Sequence, residues 1–188
     1  MQVTTEKRQR GPVWAIAKLL GISVLILVAV VCGAILYDIP RHKPPREQKL
    51  IENFYAHRAA YEHLRNMLIE DKQLLRVASW GVQTKDSLVS TKPPQGDFPL
   101  DRYNEYIALL NETRGTGAYR ANGDPPESVG IDVFASGWAG ESRHVDICWL
   151  GREPINQITS LDDFYKTAKP RHPVYRHIDG NWYLYADW

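Results

Sequence analysis

The chain has 188 residues, which is enough for one folded domain and a short additional segment. Its charge is nearly balanced, with 23 lysines and arginines against 22 aspartates and glutamates. Four of those basic residues and one acidic residue lie at or before Lys18, so the remainder carries 19 positive and 21 negative charges. A nucleic-acid-binding domain shows a basic surplus, and a disordered chain lacks the six tryptophans and ten tyrosines found here. The composition therefore argues against both classes.

The first predicted element is an apolar run at residues 13–37, which follows a short basic tail at residues 1–12. Lys18 is the only charge in the run, and Leu19 to Tyr37 is an uncharged stretch of 19 residues. At about 1.5 Å per residue, that stretch is just long enough to cross the roughly 30 Å core of a bilayer as a helix. We therefore expect a single-pass signal anchor that contacts the lipid bilayer through residues 13–37.

The sequence leaves the processing and the orientation of this segment open. A basic tail before an apolar core also describes a cleaved signal peptide, with Cys32 and Ala34 as small residues before a cut. Lipid modification of Cys32 fits poorly, because Val31 precedes it where a small residue is expected. Basic residues flank both ends of the run, but the short N-terminal tail favours a cytoplasmic N-terminus. The C-terminal domain is then expected on the non-cytoplasmic side of the membrane.

A stiff proline-rich spacer is predicted at residues 38–45, followed by a soluble domain at residues 46–188. Cys148 is the one cysteine of that domain, so no disulfide can form within it. Apolar residues recur at the helical period over residues 46–71 and 100–115, which predicts two main helices.

The C-terminal half is predicted to form strands. Approximate or clear alternation of apolar and polar residues marks strands at 74–82, 128–136 and 143–150. Ser160 is expected to cap a short helix at 160–166, and Asp179-Gly180 to turn a hairpin at 174–188. The predicted fold class is α+β, with an N-terminal single transmembrane helix and then two main helices packed on an antiparallel sheet of about five strands.

The strand at 143–150 carries the best candidate site. Alternation places His144, Asp146 and Cys148 on one face, at roughly 6.6 Å spacing. Cys148 then lies about 13 Å from His144, too far for proton transfer, so a cysteine–histidine pair would need His172 or His177. The simpler interpretation is the solvated face of a sheet, with Asp146 and His144 in a polar cluster with Asp132.

Other chemistry is weakly indicated. The phosphate-binding loop, the dinucleotide fingerprint, the HExxH motif and the serine-hydrolase elbow are all missing from the sequence. No compact second pair of ligands accompanies His144 and Asp146, so neither a metal nor a cofactor is expected. Trp138 lies between glycines in a predicted hairpin loop, where an aromatic side chain can anchor a partner. The candidate binding residues are therefore Trp138, His144 and Asp146, and no catalytic residue is predicted.

Two functional hypotheses follow. The first is a membrane-anchored, non-enzymatic protein whose α+β domain binds or assists a protein partner in the cell envelope. The second is a membrane-tethered hydrolase or metal-dependent enzyme that uses His144, Asp146 and a distant histidine, His172 or His177. The absence of catalytic motifs favours the first. Convergence of the histidines in one pocket would favour the second.

Overall fold

The computed structural model describes residues 22–30, 32, 43–93, 95–120, 128–136, 143–167 and 173–187. The chain divides between Lys43 and Pro44, and the sheet with its helices belongs to the unit Pro44–Trp188. Residues 22–30 and 32, in the first unit, are helical. Within the described ranges, no helix is both long enough and apolar enough to span a membrane. The rest of the segment 13–37 lies outside the described residues.

Four helices and eight strands are described in the second unit. The helices are α1 (Glu47–Ala56), α2 (Arg58–Glu70), α3 (Leu100–Thr113) and α4 (Leu161–Thr167). The strands are β1 (Leu74–Ala78), β2 (Gly81–Thr84), β3 (Ser87–Thr91), β4 (Gly117–Arg120), β5 (Val129–Ser136), β6 (Arg143–Trp149), β7 (Val174–Asp179) and β8 (Trp182–Asp187). They form one antiparallel sheet in the order β3-β2-β1-β4-β5-β6-β8-β7.

The predicted fold class is wrong in two respects. The sheet has eight strands rather than about five, and the described residues contain no transmembrane helix. The missed strands are short: β2 and β4 have four residues each and β3 has five, so alternation has little length in which to show. The predicted strand at 74–82 is in fact β1, a turn at Ser79 and Trp80, and the start of β2.

The predicted helix at 46–71 is broken at His57 into α1 and α2. The break has a packing reason. Seven residues of an unbroken helix span about 10 Å, whereas the ring centroids of Phe54 and Tyr61 are 5.4 Å apart. Both rings also pack on Trp182, at centroid distances of 5.4 Å and 6.1 Å. Phe54 and Tyr61 face the core on both sides of the break. The spacing of apolar residues in the sequence therefore does not show that the helix is interrupted.

The core lies between the helices and one face of the sheet. A row of cross-strand neighbours runs through it, which we call the core row: Val77, Ala118, Ile131, Ile147 and Leu184. All five are fully buried and belong to the same cluster as Phe54, Tyr61, Leu64 and Leu110 from the helices. Because side chains alternate along a strand, the residues on either side of the core row point to the opposite face.

The N-termini of α1 and α4 are held by each other's side chains. Glu47 accepts a hydrogen bond from the Leu161 N–H through Oε2 at 2.6 Å, and Asp162 Oδ1 accepts one from the Glu47 N–H at 3.0 Å. Glu47 Oε1 also accepts a hydrogen bond from Arg176 Nε on β7 at 3.0 Å. Carboxylates are favoured at helix N-termini because unpaired N–H groups and the helix dipole are positive there. Glu47 therefore joins two helices and an edge strand that are far apart in sequence.

The short helix and the last hairpin match local sequence signals. The Asp163 N–H donates to Ser160 Oγ at 3.2 Å, which confirms the predicted cap. The hairpin β7–β8 is confirmed too, but its turn residues are Gly180, at φ 54°, and Asn181. A bulge between His177 and Asp179 shifts the register. His177 therefore lies opposite Tyr183, and not opposite Trp182, where the predicted two-residue turn at Asp179-Gly180 would place it.

Replacing Glu47 is expected to destabilise the fold. Glu47→Ala removes a helix cap and the partner of Arg176, so the free energy of unfolding should fall by about 2 kcal/mol. Glu52→Ala is the matched control, because its carboxylate accepts an exposed hydrogen bond from Gln48 on the same helix. That control should stay within about 0.5 kcal/mol of the native protein. Urea unfolding followed by circular dichroism gives both values, and equal losses would contradict the role given to Glu47.

Candidate functional site

The face opposite the core row carries two cross-strand rows of polar and small residues. The aspartate row consists of Gly117, Asp132, Asp146, Tyr185 and Tyr175. The glycine row, two residues further along these strands, consists of Tyr119, Gly130, Cys148, Tyr183 and His177. We call this surface the tyrosine face, after Tyr119, Tyr175, Tyr183 and Tyr185.

A pair of buried carboxyl groups lies at the centre of the aspartate row. Asp132 and Asp146 are directly opposed on β5 and β6, with relative exposures of 4% and 2%. Arg76 on β1 donates from Nη2 to Asp132 Oδ2, and the Tyr119 hydroxyl donates to Asp146 Oδ2 at 2.6 Å. Among the described residues, Asp146 Oδ1 has no hydrogen-bond partner. A carboxylate oxygen can only accept hydrogen bonds, so Oδ1 can donate one toward Asp132 only when it carries a proton.

The two carboxyl groups differ in their electrostatic surroundings. Burial is the largest cause that raises the pKa of Asp146 to about 7, and the charge of Asp132 adds to it against the opposing Tyr119 hydrogen bond. Burial also raises the pKa of Asp132, but the adjacent Arg76 guanidinium opposes that rise. The shared proton therefore belongs to Asp146, and Asp132 carries the negative charge that pairs with Arg76.

Two glycines provide the space for this network. A Cβ atom on Gly130 would lie 2.4 Å from Cζ of Tyr119, and one on Gly117 would lie 2.8 Å from Oδ2 of Asp132. Without a side chain at Gly130, the Tyr119 ring can cross β5 and reach Asp146 on β6. Arg76 stacks on the same ring from the other side of β4, with Cζ 5.8 Å from the ring centroid.

An open cavity of about 240 Å³ lies on the glycine row. Gly130 and Cys148 are directly opposed there and both line the cavity, with the Tyr119 ring over Gly130. Tyr119, Tyr175 and Tyr185 line it, together with Val129 and Leu150. The ring centroids of Tyr175 and Tyr185 are 5.2 Å apart, which fixes one wall. None of these lining side chains carries a charge at neutral pH.

The predicted polar residues of β6 occupy different environments. Asp146 is buried and hydrogen-bonded to Tyr119. The interpretation that it lies on the solvated face of the sheet is therefore wrong. It does form a cross-strand pair with Asp132, and His144 is near enough to Asp132 to influence it electrostatically. Cys148 is also buried, its Sγ lies 3.5 Å from the Tyr183 carbonyl oxygen, and burial raises its pKa. Its thiol is therefore protonated rather than a reactive thiolate.

The described histidines of the candidate site do not converge. His144 lies opposite Asp187 on β8, whereas His177 reaches β8 opposite Tyr183. Those two β8 positions are four residues apart, or about 13 Å along the strand. His177 Nε2 is 2.9 Å from the Gly180 carbonyl oxygen, and its ring packs edge-on against Tyr183. Trp138 and His172 lie outside the described residues.

The described residues offer no support for a metal site. Within those residues, no group of three or more His, Cys, Asp or Glu side chains is placed to hold an ion.

The main site residues that the sequence did not suggest are Arg76, Tyr119, Tyr175 and Tyr185. The Tyr183 and Tyr185 spacing of two residues on a predicted strand was the available signal, because it places both rings on one face. Tyr119 and Arg76 could not be found in this way, since β4 was not predicted and Arg76 reaches the site through long-range pairing.

Comparison with known proteins adds no functional information. The chain matches no family model, no curated protein and no solved structure. Its site is therefore interpreted from its own residues.

The buried carboxyl pair predicts a pH-dependent stability. The pKa of Asp146 is about 7 in the folded protein and about 4 in the unfolded chain. The folded state therefore binds the proton more tightly, and this adds to the free energy of unfolding. The contribution is fully present below pH about 4 and is lost as the pH rises through about 7. Asp146→Asn keeps an acceptor for Tyr119 and a donor for Asp132 but cannot titrate. From pH 5 to 7, the native protein should therefore lose about 2 kcal/mol relative to this variant.

Chemical unfolding at several pH values measures this difference. The exposed Asp86 supplies the control, since Asp86→Asn leaves the buried pair unchanged and should follow the native protein across the range. A constant gap between the native protein and Asp146→Asn from pH 5 to 8 would mean that Asp146 holds no proton near neutrality.

Proposed function

We propose that the domain is a non-enzymatic binding module and that the tyrosine face is its binding surface. The observation that carries this proposal is the cavity walled by Tyr119, Tyr175 and Tyr185 on the side of the sheet opposite the core row. Tyrosine is enriched in recognition surfaces because it offers a large, stiff apolar ring with a polar tip. A concave site with few polar groups is also the usual form of a ligand pocket.

The network beneath the cavity supports a binding role. Tyr119 is held by its hydroxyl bond to Asp146, by close approach to Gly130 and by stacking under Arg76. A wall whose position is fixed before binding loses little conformational freedom when a ligand arrives. The buried carboxyl groups therefore serve to position an aromatic wall.

Several features weigh against the alternative of a hydrolase or metal-dependent enzyme centred on His144 and Asp146. Asp146 is buried, with one oxygen bound by Tyr119. His144 and His177 diverge along β8. The Cys148 thiol is protonated and covered. A general base must come within hydrogen-bond reach of the proton it removes, and these groups offer no shared point of attack.

We further propose that the apolar segment 13–37 holds the domain at a membrane, on the non-cytoplasmic side. The support is the uncharged stretch from Leu19 to Tyr37. In its described part, the apolar side chains of Ile22, Val24, Leu25, Ile26, Leu27, Val28 and Val30 are all exposed. Exposed apolar surface of this extent marks a site of contact with lipid or protein. A protein partner of the envelope is then the expected occupant of the tyrosine face, or the carrier of its ligand.

Site-specific photo-crosslinking in cells tests both parts of the proposal. A benzophenone amino acid placed at His177, which is exposed beside the cavity, should form adducts, and Tyr175→Ala should reduce them several-fold. The same probe at Tyr55, an exposed tyrosine on α1, is the control. Equal adducts from both positions would contradict the binding face. The adducts should be recovered with the membrane pellet, and recovery from the soluble fraction alone would contradict the membrane attachment.

A further inference from the structure

The electrostatic surroundings of the tyrosine cavity indicate the charge of its ligand. Its lining residues Tyr119, Val129, Gly130, Cys148, Leu150, Tyr175 and Tyr185 include no basic side chain. The acidic residues Asp132 and Asp146 lie in the adjacent row of the same face, and the charge of Asp187 acts on the wall residue Tyr185. Arg76 lies one strand beyond Tyr119 and is already paired with Asp132. Because Asp132 is paired with Arg76, the charge that a ligand in the cavity would meet is that of Asp146 in its ionised form, and that charge attracts a cation.

The acidic pair acts on the cavity walls directly. Burial is the largest cause of the raised pKa values of Tyr119, Tyr175 and Tyr185, and the charge of Asp146 contributes to the rise in all three. The same negative potential favours a positive ligand between those rings. Aromatic faces add to this attraction, because their π electrons draw a cation placed within about 6 Å of the ring centroid.

The size and the lining of the cavity indicate which class of cation it would bind. Its volume of about 240 Å³ is below the range of roughly 300–1,000 Å³ typical of sites for drug-sized ligands, so it suits a single head group. A primary ammonium needs hydrogen-bond acceptors when it leaves water, whereas a methylated ammonium has few or no N–H groups to satisfy. No carboxylate lines the cavity to accept hydrogen bonds from a primary ammonium, so its aromatic walls favour methylated over primary amines.

We infer that this cavity is an aromatic cage for a methylated ammonium group, such as that of choline or a related quaternary amine. The inference rests on the binding role proposed above and names the ligand class. Tyr119, Tyr175 and Tyr185 form the walls, Gly130 and Cys148 form the floor, and Asp146 supplies the charge in its ionised form. The group can come from a free amine or from the head group of a choline lipid.

Cation binding is coupled to the proton on Asp146. The titratable and charged groups around Asp146 come from every neighbouring strand. They are Arg76 on β1, Tyr119 on β4, Asp132 on β5, Cys148 on β6, Tyr175 on β7 and Tyr185 on β8. His144 lies near Asp132. A bound cation favours the ionised form of Asp146, so binding releases a proton. By linkage, the affinity rises as pH increases from 6 to 8.

The test compares a cation with its neutral isostere on the full-length chain, kept in a detergent without a choline head group. Tetramethylammonium and choline should bind with a Kd at least about fivefold lower than that of 3,3-dimethyl-1-butanol, which has the shape of choline without the charge. Chemical shifts of the cavity residues report binding of all three probes. Equal Kd values for choline and the alcohol overturn the inference.

Variants of the wall and of the acidic group separate the contributions. Tyr175→Leu keeps an apolar wall but removes the ring, so it should weaken choline binding several-fold and leave the alcohol unchanged. Tyr175→Phe keeps the ring and should bind choline nearly as well as the native protein. Asp146→Asn should reduce the choline affinity and abolish its increase with pH. Tyr55→Leu, on α1 and outside the cavity lining, is the control, and an equal loss in Tyr55→Leu and Tyr175→Leu overturns the assignment to this cavity.

Two further arms identify the source and keep the two proposals distinct. Tyr175-dependent binding of phosphatidylcholine vesicles over phosphatidylglycerol vesicles assigns a lipid head group, whereas binding of choline without this vesicle preference assigns a free amine. Crosslinks at His177 that persist while choline binds no better than the alcohol leave the binding face in place and reject the ammonium. Loss of the crosslinks and of all probe binding rejects both.

Discussion

The buried pair Asp132 and Asp146 is the constraint on which the tyrosine face depends. Two carboxyl groups opposed on neighbouring strands, each less than 5% exposed, cannot both be ionised without a large cost. One proton, the Arg76 guanidinium and the Tyr119 hydroxyl together meet that cost. Each of these two hydrogen bonds has a structural consequence. Arg76 must reach Asp132 from β1, and the Tyr119 ring must cross Gly130 to reach Asp146. The position of the Tyr119 ring, and with it one wall of the cavity, follows from satisfying buried charge.

The two faces of the sheet differ in what they pack against. The core row packs against the helices, and Glu47 joins α1, α4 and β7 at one end of that layer. On the opposite face, Gly130 and Cys148 are small at the positions next to the large core residues Ile131 and Ile147. The proposed binding surface therefore lies on the side of the strands opposite the helices.

How much the sequence could predict depended on whether a feature is local. The Ser160 cap and the last hairpin were predictable because each is set by residues within a few positions of one another. The aspartate pair was only suggested, since alternation gives a face but not its burial. Strands β2, β3 and β4 were missed because they are short and are defined by pairing with distant partners. Arg76 and Tyr119 join the site through those missed pairings, so no local pattern marked them.

The tyrosine face depends on the protonation of Asp146, and carbon-13 NMR of labelled aspartate carboxyl groups measures that protonation directly. Titration of the native protein should show one buried aspartate carbon that changes shift with a midpoint near pH 7 and another, beside Arg76, that changes shift at lower pH. Tyr119→Phe removes a hydrogen bond to the ionised form and should move the midpoint upward. Two buried aspartates that both titrate below about pH 5 would contradict the shared proton, and with it the explanation of how the tyrosine wall is held.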